Sequence, residues 1–130
     1  MKKLFVILGL VIFIFSSCKK EYIASANNSQ TILIPVQSGD WNTYDYGVTY
    51  SVSLNMPEIT YSFNQRGQVL VYISYNNGVY EQIPEVYNNT AYSFTHNVGN
   101  VTIYAQDLSG RGTISPDNAT IKIVLVDSHY

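Results

Sequence analysis

The chain has little cysteine, little histidine and little charge for its 130 residues. Cys18 is the only cysteine, there are two histidines, and charged residues make up 12% of the sequence. One cysteine cannot form a disulfide within the chain, so the fold depends on its core. The net charge of −2 provides no basic face of the kind that neutralises phosphates, which excludes a nucleic-acid partner.

The few groups that support metal or acid–base chemistry are scattered along the sequence. His96 and His129 have no partner at metal-ligand spacing. Asp107 and Asp117 flank a polar loop, but this loop does not match a calcium-binding pattern such as the EF-hand. No serine lies in a nucleophile motif, and the other acids have no marked spacing. We therefore predict no catalytic residue, no metal and no cofactor, and a protein that is not an enzyme.

The N-terminus has the pattern of a secretory signal. A short basic segment precedes an apolar run from Leu4 to Phe15, which is shorter than the ~20 residues that cross a bilayer. Such a run is typical of a cleaved signal peptide. The segment Phe15-Ser16-Ser17-Cys18 resembles the lipobox of bacterial lipoproteins. The alternative is a plain signal peptide with a chance cysteine, but an odd cysteine in an exported chain then needs another explanation.

The lipobox resemblance implies an anchor and a location. In that family the cysteine receives diacylglycerol and the chain is cut before it, and two or more acyl chains hold a protein stably on a membrane. No Asp follows Cys18, which favours the outer membrane of the cell envelope, on its periplasmic or its surface side. We expect a signal peptide at residues 1–17, the lipidated Cys18 and a flexible tether to residue 30, and one domain at residues 31–130.

The domain has the composition and spacing of an all-β fold. Tyr, Thr, Val and Ile favour strands, and short alternating segments are separated by turn signals such as Asn76-Asn77-Gly78. This pattern predicts a single Greek-key, immunoglobulin-like β-sandwich of about seven strands. The loop before the last strand is long enough to cross between sheets. Pro57–Arg66 fits either a strand or a short helix, and we favour the helix.

A set of short motifs resembles a group of small, uncharacterised bacterial lipoproteins. The resemblance covers roughly residues 40–126 and supports the fold and the location without supplying an activity. Its motifs are Pro57-Glu58-Ile59-Thr60, Gly67, Val69-Leu70-Val71-Tyr72, Gln82-Ile83-Pro84 and Gly99-Asn100-Val101-Thr102-Ile103.

Aromatic residues near turns are the remaining functional signal. Trp41, Tyr44, Tyr46 and Tyr75 are candidate ligand-contacting residues, because exposed rings provide contact area at low entropy cost. Core packing is the favoured explanation for Trp41, and both explanations stay open for the three tyrosines. We therefore expect a non-catalytic module that binds a glycan or an envelope protein. The alternatives are a small hydrolase of envelope polymers and a structural subunit of a surface assembly.

Overall fold

The computed structural model describes residues 20–23 and 29–128, and its strands form two antiparallel sheets. The all-β sandwich is therefore confirmed. Among the described residues, seven strands have five or more residues and three have two or three. The first sheet has the order β1-β2-β10-β5-β6 and the second β3-β4-β9-β8-β7. The strands are β1 Glu21–Ile23, β2 Ser29–Val36, β3 Asn42–Thr43, β4 Thr49–Met56, β5 Gln68–Asn76, β6 Val79–Ile83, β7 Glu85–Tyr87, β8 Thr90–Asn97, β9 Gly99–Asp107 and β10 Ala119–Val126.

The core lies between the two sheets and is built by alternation along each strand. In β10, Ile121, Ile123 and Leu125 are buried, while the residues between them are half-buried on the outer face. Strands β4 and β9 follow the same period of two. Alternating apolar residues bury one face of each sheet against the other, and this burial is the main force that holds the domain together.

Among the described residues, one short α-helix, α1, spans Tyr61–Arg66 between β4 and β5, and a 3₁₀ helix spans Ser38–Asp40. The Thr60 side chain accepts a hydrogen bond from the Phe63 backbone N–H at 3.2 Å, which caps the first turn. The Gly67 N–H donates to the Phe63 carbonyl at 2.6 Å and closes the last turn. The predicted helical segment in Pro57–Arg66 is thus present, but it begins later than Pro57.

The strand register shows which chain segments meet at each end of the sandwich. Thr49 of β4 pairs with Gln106 of β9, and Thr120 of β10 pairs with Ser74 of β5. The start of β4, the ends of β9 and β5 and the start of β10 therefore share one end, while α1 lies at the other. The loop at residues 108–118 crosses between the sheets at the shared end, as the sequence predicted.

The domain begins earlier than the predicted boundary at residue 31. Glu21 of β1 pairs with Leu33, and β2 starts at Ser29. The Lys20 ammonium donates to the Asn55 carbonyl and lies 3.9 Å from the Glu58 carboxylate. The sandwich therefore takes in residues that the sequence assigned to the tether. The signal peptide and Cys18, at residues 1–19, and residues 24–28 lie outside the described part of the chain.

Candidate functional site

Trp41 is part of the core, so it does not belong to an exposed aromatic platform. Its side chain is only 6% exposed and packs in the cluster between the sheets. Its Nε1–H is buried and has no hydrogen-bond partner among the described residues. Core packing, the favoured explanation for Trp41, is thus confirmed, and its candidate role in ligand contact is wrong, because the ring contributes apolar area to the interior.

Tyr44 and Tyr46 project into solvent from the turn before β4. They are 93% and 98% exposed. Asp45 holds this turn, since its carboxylate accepts hydrogen bonds from the Thr49 N–H at 2.7 Å and the Thr43 hydroxyl at 3.1 Å. These hydrogen bonds, led by the one from the Thr49 backbone, lower the pKa of Asp45. The turn therefore presents two rings without burying either.

Asp107 organises the loop that follows β9. Its carboxylate accepts hydrogen bonds from the Ser109 hydroxyl at 2.6 Å, the Ser109 N–H at 3.1 Å and the Gly112 N–H at 3.1 Å. These bonds stabilise the ionised form, so they lower the pKa of Asp107, with the Ser109 hydroxyl contributing most. The carboxylate closes the first half of the loop into a compact turn.

The second half of the loop is fixed against the turn that carries Tyr46. The Thr113 N–H donates to the Gly47 carbonyl at 3.0 Å, and the Tyr50 hydroxyl donates to the Thr113 carbonyl at 2.8 Å. Gly112 packs directly against the Tyr46 carbonyl, where a Cβ atom would overlap the oxygen. The loop and the exposed tyrosine turn therefore form one continuous rim.

A pocket of about 260 Å³ lies beneath this rim. One side is formed by residues 113–117 of the loop, including Ile114, which is 82% exposed. The remaining lining comes mainly from the strand ends of both sheets. Six lining residues carry the chemistry of the site: Tyr50, Tyr75, Tyr87, Tyr92, Asp107 and Asp117.

Tyr75 and Tyr92 connect the two sheets within the pocket. Tyr75 comes from β5 in the first sheet and Tyr92 from β8 in the second. The Tyr75 hydroxyl donates to the Tyr92 hydroxyl at 2.8 Å, and the ring centroids are 6.3 Å apart at 57°. Burial raises the pKa of both phenols above its ordinary value of 10.0. The Tyr92 hydroxyl has no acceptor for its own proton among the described residues.

The charged groups at the pocket are acidic. Asp107 and Asp117 line it, and none of its lining residues is Lys, Arg or His. Burial and the neighbouring Glu81 carboxyl raise the pKa of Glu85, which pairs with Tyr92 across β7 and β8. Within residues 20–23 and 29–128, no group of three or more acids, histidines or cysteines is arranged to hold a metal ion.

The structure brings together some of the predicted site residues and adds others. Tyr44 and Tyr46 lie on the rim and Tyr75 lines the pocket, whereas Cys18 and His129 lie outside the described residues. His96 is part of β8, and its Nδ1 lies 2.8 Å from the Asn64 side-chain oxygen of α1. Sequence reasoning did not place Tyr50, Tyr87 and Tyr92 at the site, since no local pattern shows that they line one pocket with Tyr75. The one available signal was the number of tyrosines flanking turns.

No protein-family model, curated protein or solved structure matches the chain. The resemblance to small bacterial lipoproteins therefore stays a prediction. In the described part of the chain, no helix is long and apolar enough to cross a membrane.

Proposed function

We propose that the chain is a lipid-anchored envelope protein whose sandwich binds a partner through the tyrosine-lined pocket, without catalysing a reaction. The observation that carries this proposal is the convergence of four tyrosines on one pocket beneath a rim with two fully exposed tyrosines. Aromatic side chains supply large contact area with few rotamers to freeze, which suits them to stacking on sugar rings or on a protein surface.

The anchor part of the proposal rests on the sequence around Cys18. A lipid at Cys18 would hold the protein at the outer membrane, and the sandwich would follow almost at once, because Lys20 already contacts Asn55 and Glu58. Two residues span at most about 7 Å of extended chain. The domain would then work close to the membrane, where envelope glycans and envelope proteins are its accessible partners.

A hydrolase is the second candidate, favoured by the two aspartates that line the pocket. Glycoside hydrolysis needs one carboxyl group that stays protonated to serve as the acid. Asp107 is unsuited to this role, because hydrogen bonds from its own loop occupy its oxygens and lower its pKa. The binding function therefore accounts for the pocket better than hydrolysis does.

Binding assays with matched tyrosine variants test the proposal. The full chain is purified in a non-ionic polyoxyethylene detergent, which has neither sugar nor ammonium groups, and is applied to envelope glycans and envelope proteins. Tyr87→Ala removes a half-exposed ring from the pocket, and Tyr61→Ala removes an exposed ring from α1 at the other end of the sandwich. We expect Tyr87→Ala to weaken binding about fivefold or more and Tyr61→Ala to leave it unchanged.

Two results of these assays would reject the proposed function. Equal affinity of the wild type and the Tyr87→Ala variant would show that the pocket is not the binding site. The release of new reducing ends from a glycan, abolished by Asp117→Asn, would replace the binding function by the hydrolase.

A further inference from the structure

We propose that the pocket selects a small organic cation that carries a quaternary ammonium group. This inference rests on the proposed function and names the chemical class of its ligand. The first observation is the sign of charge around the pocket. Asp107 and Asp117 line it without any basic lining residue, which disfavours phosphate, sulfate or carboxylate ligands and favours a cation.

The rings supply the second part of a cation site. The face of a tyrosine ring carries negative electrostatic potential and attracts an ammonium group placed over it. Tyr50, Tyr75, Tyr87 and Tyr92 all line one pocket of about 260 Å³. This space is smaller than the pockets that typically enclose drug-sized ligands, so it fits a small cationic head group.

A cation–π contact between an ammonium group and tyrosine rings is present elsewhere in the chain. On the outer face of the first sheet, the Lys122 ammonium lies 4.5 Å from the centroid of the Tyr72 ring and 4.2 Å from that of the Tyr80 ring. Two tyrosines therefore hold one ammonium group between them at ordinary cation–π distances. The pocket has twice as many rings and no lysine of its own among its lining residues.

Asp117 is the available counter-ion. Asp107 is engaged by Ser109 and Gly112, but Asp117 is exposed and has no hydrogen-bond partner among the described residues. Asp117 lines the same pocket as the paired phenols of Tyr75 and Tyr92. A single free carboxylate next to aromatic rings suits an organic cation better than a metal ion, which needs several oxygen ligands.

Calorimetric titration with choline tests this inference. The full chain in polyoxyethylene detergent is titrated with choline and with its neutral isostere, in which a carbon atom replaces the nitrogen. We expect choline to bind and the neutral isostere to bind at least about tenfold more weakly. Raising the salt concentration should weaken choline binding, because Asp117 is exposed and its charge is screened.

Matched variants locate the choline site. We expect Asp117→Asn and Tyr87→Leu each to weaken choline binding about fivefold, whereas Glu21→Gln and Tyr61→Leu, both exposed and outside the pocket, leave it unchanged. Equal binding of choline and its isostere, or no binding of choline, would overturn the ammonium inference. If neutral oligosaccharides then bind in a Tyr87-dependent way, the proposed function survives. If nothing binds in that way, both proposals fail.

Discussion

At the scale of single residues, the two aspartates that line the pocket differ in the hydrogen bonds that their carboxylates accept. Asp107 has its oxygens occupied by its own loop, so its role is to shape the rim. Asp117 makes no such bonds among the described residues, so its carboxylate oxygens are available to a ligand. The tyrosines also fall into two kinds. The Tyr75 and Tyr92 hydroxyls are hydrogen-bonded to each other, whereas the Tyr44 and Tyr46 side chains are exposed to solvent.

Glu85 gives a pH-dependent test at this scale. The pKa of the Glu85 carboxyl group is raised above its ordinary value of 4.5 in the folded chain. The folded chain therefore binds the proton of this carboxyl group more tightly than the unfolded chain does. The free energy of unfolding should therefore fall as pH rises from 4.5 through the raised folded value. Glu85→Gln should remove this fall, so that the variant gains stability relative to the wild type as pH rises. Urea unfolding across this pH range measures it, with Glu21→Gln as the control. Parallel pH profiles for wild type and Glu85→Gln would contradict the assignment.

The sequence could predict exposure for some of these residues and not for others. Tyr44 and Tyr46 flank a turn, and turn residues are usually exposed. Trp41 precedes the same turn, but its large apolar ring favoured core packing, and the ring is buried between the sheets. Tyr92 alternates with Phe94 on β8, which indicated an inward face without showing that it meets Tyr75 on the other sheet.

At the scale of elements, the rim depends on two glycines that touch the neighbouring backbone. Gly47 and Gly112 have φ values of 85° and 89°, in the left-handed region that L side chains rarely adopt. A Cβ atom at Gly112 would overlap the Tyr46 carbonyl oxygen, and one at Gly47 would overlap the Thr113 carbonyl oxygen. The turn and the loop therefore approach each other closely because both contacts are made by glycine.

Gly112 and Gly110 form a matched pair that separates close contact from backbone strain. Both have positive φ, but nothing lies within 4 Å of a Cβ atom built at Gly110. Gly110→Ala should cost about 1 kcal/mol of unfolding free energy, and Gly112→Ala about 3 kcal/mol, because it adds the clash with Tyr46. Chemical denaturation of the two variants measures the difference. Equal losses would show that the close contact between loop and turn does not stabilise the rim.

Helix α1 shows why local signals succeed for some elements and fail for others. Its presence could be predicted because Pro57 and Gly67 are local signals, but its start could not, since Thr60 rather than Pro57 precedes the first helical turn. Gly67 is required by close packing, since its φ of −80° is not left-handed but a Cβ atom there would overlap the Phe63 ring. Strands β1 and β7 have three residues each, which is too short for an alternating pattern to show.

At the scale of the whole molecule, the sandwich follows from local sequence patterns, whereas the pocket depends on contacts between distant parts of the chain. Alternation along β4, β9 and β10 is local, so the sheet architecture could be predicted from the sequence. The pocket is formed by residues far apart in the chain, such as Tyr50 with Thr113 and Tyr75 with Tyr92. These contacts depend on how the long loop crosses between the sheets, and no local pattern determines that path.

The proposed anchor gives a test at this scale. Cys18→Ala removes the only sulfur that can carry the lipid. The variant should lose lipid labelling and leave the detergent phase on phase separation, because each buried acyl methylene contributes about 0.8 kcal/mol to membrane binding. Its unfolding free energy in solution should resemble that of the wild-type domain. A Cys18→Ala variant that still partitions with membranes would contradict the lipoprotein proposal.

The claim that the pocket is the binding site is tested most directly by a nuclear magnetic resonance titration. The full chain carries isotope labels in its tyrosine rings. The chain is held in polyoxyethylene detergent, and a solubilised fraction of envelope glycans and proteins is added. If the pocket is the binding site, we expect the ring signals of its four tyrosines to shift together: Tyr50, Tyr75, Tyr87 and Tyr92. The signals of Tyr61, Tyr72 and Tyr104, which lie outside the pocket, should stay in place. Shifts confined to tyrosines outside the pocket, or no shifts at all, would contradict the claim that the pocket is the binding site.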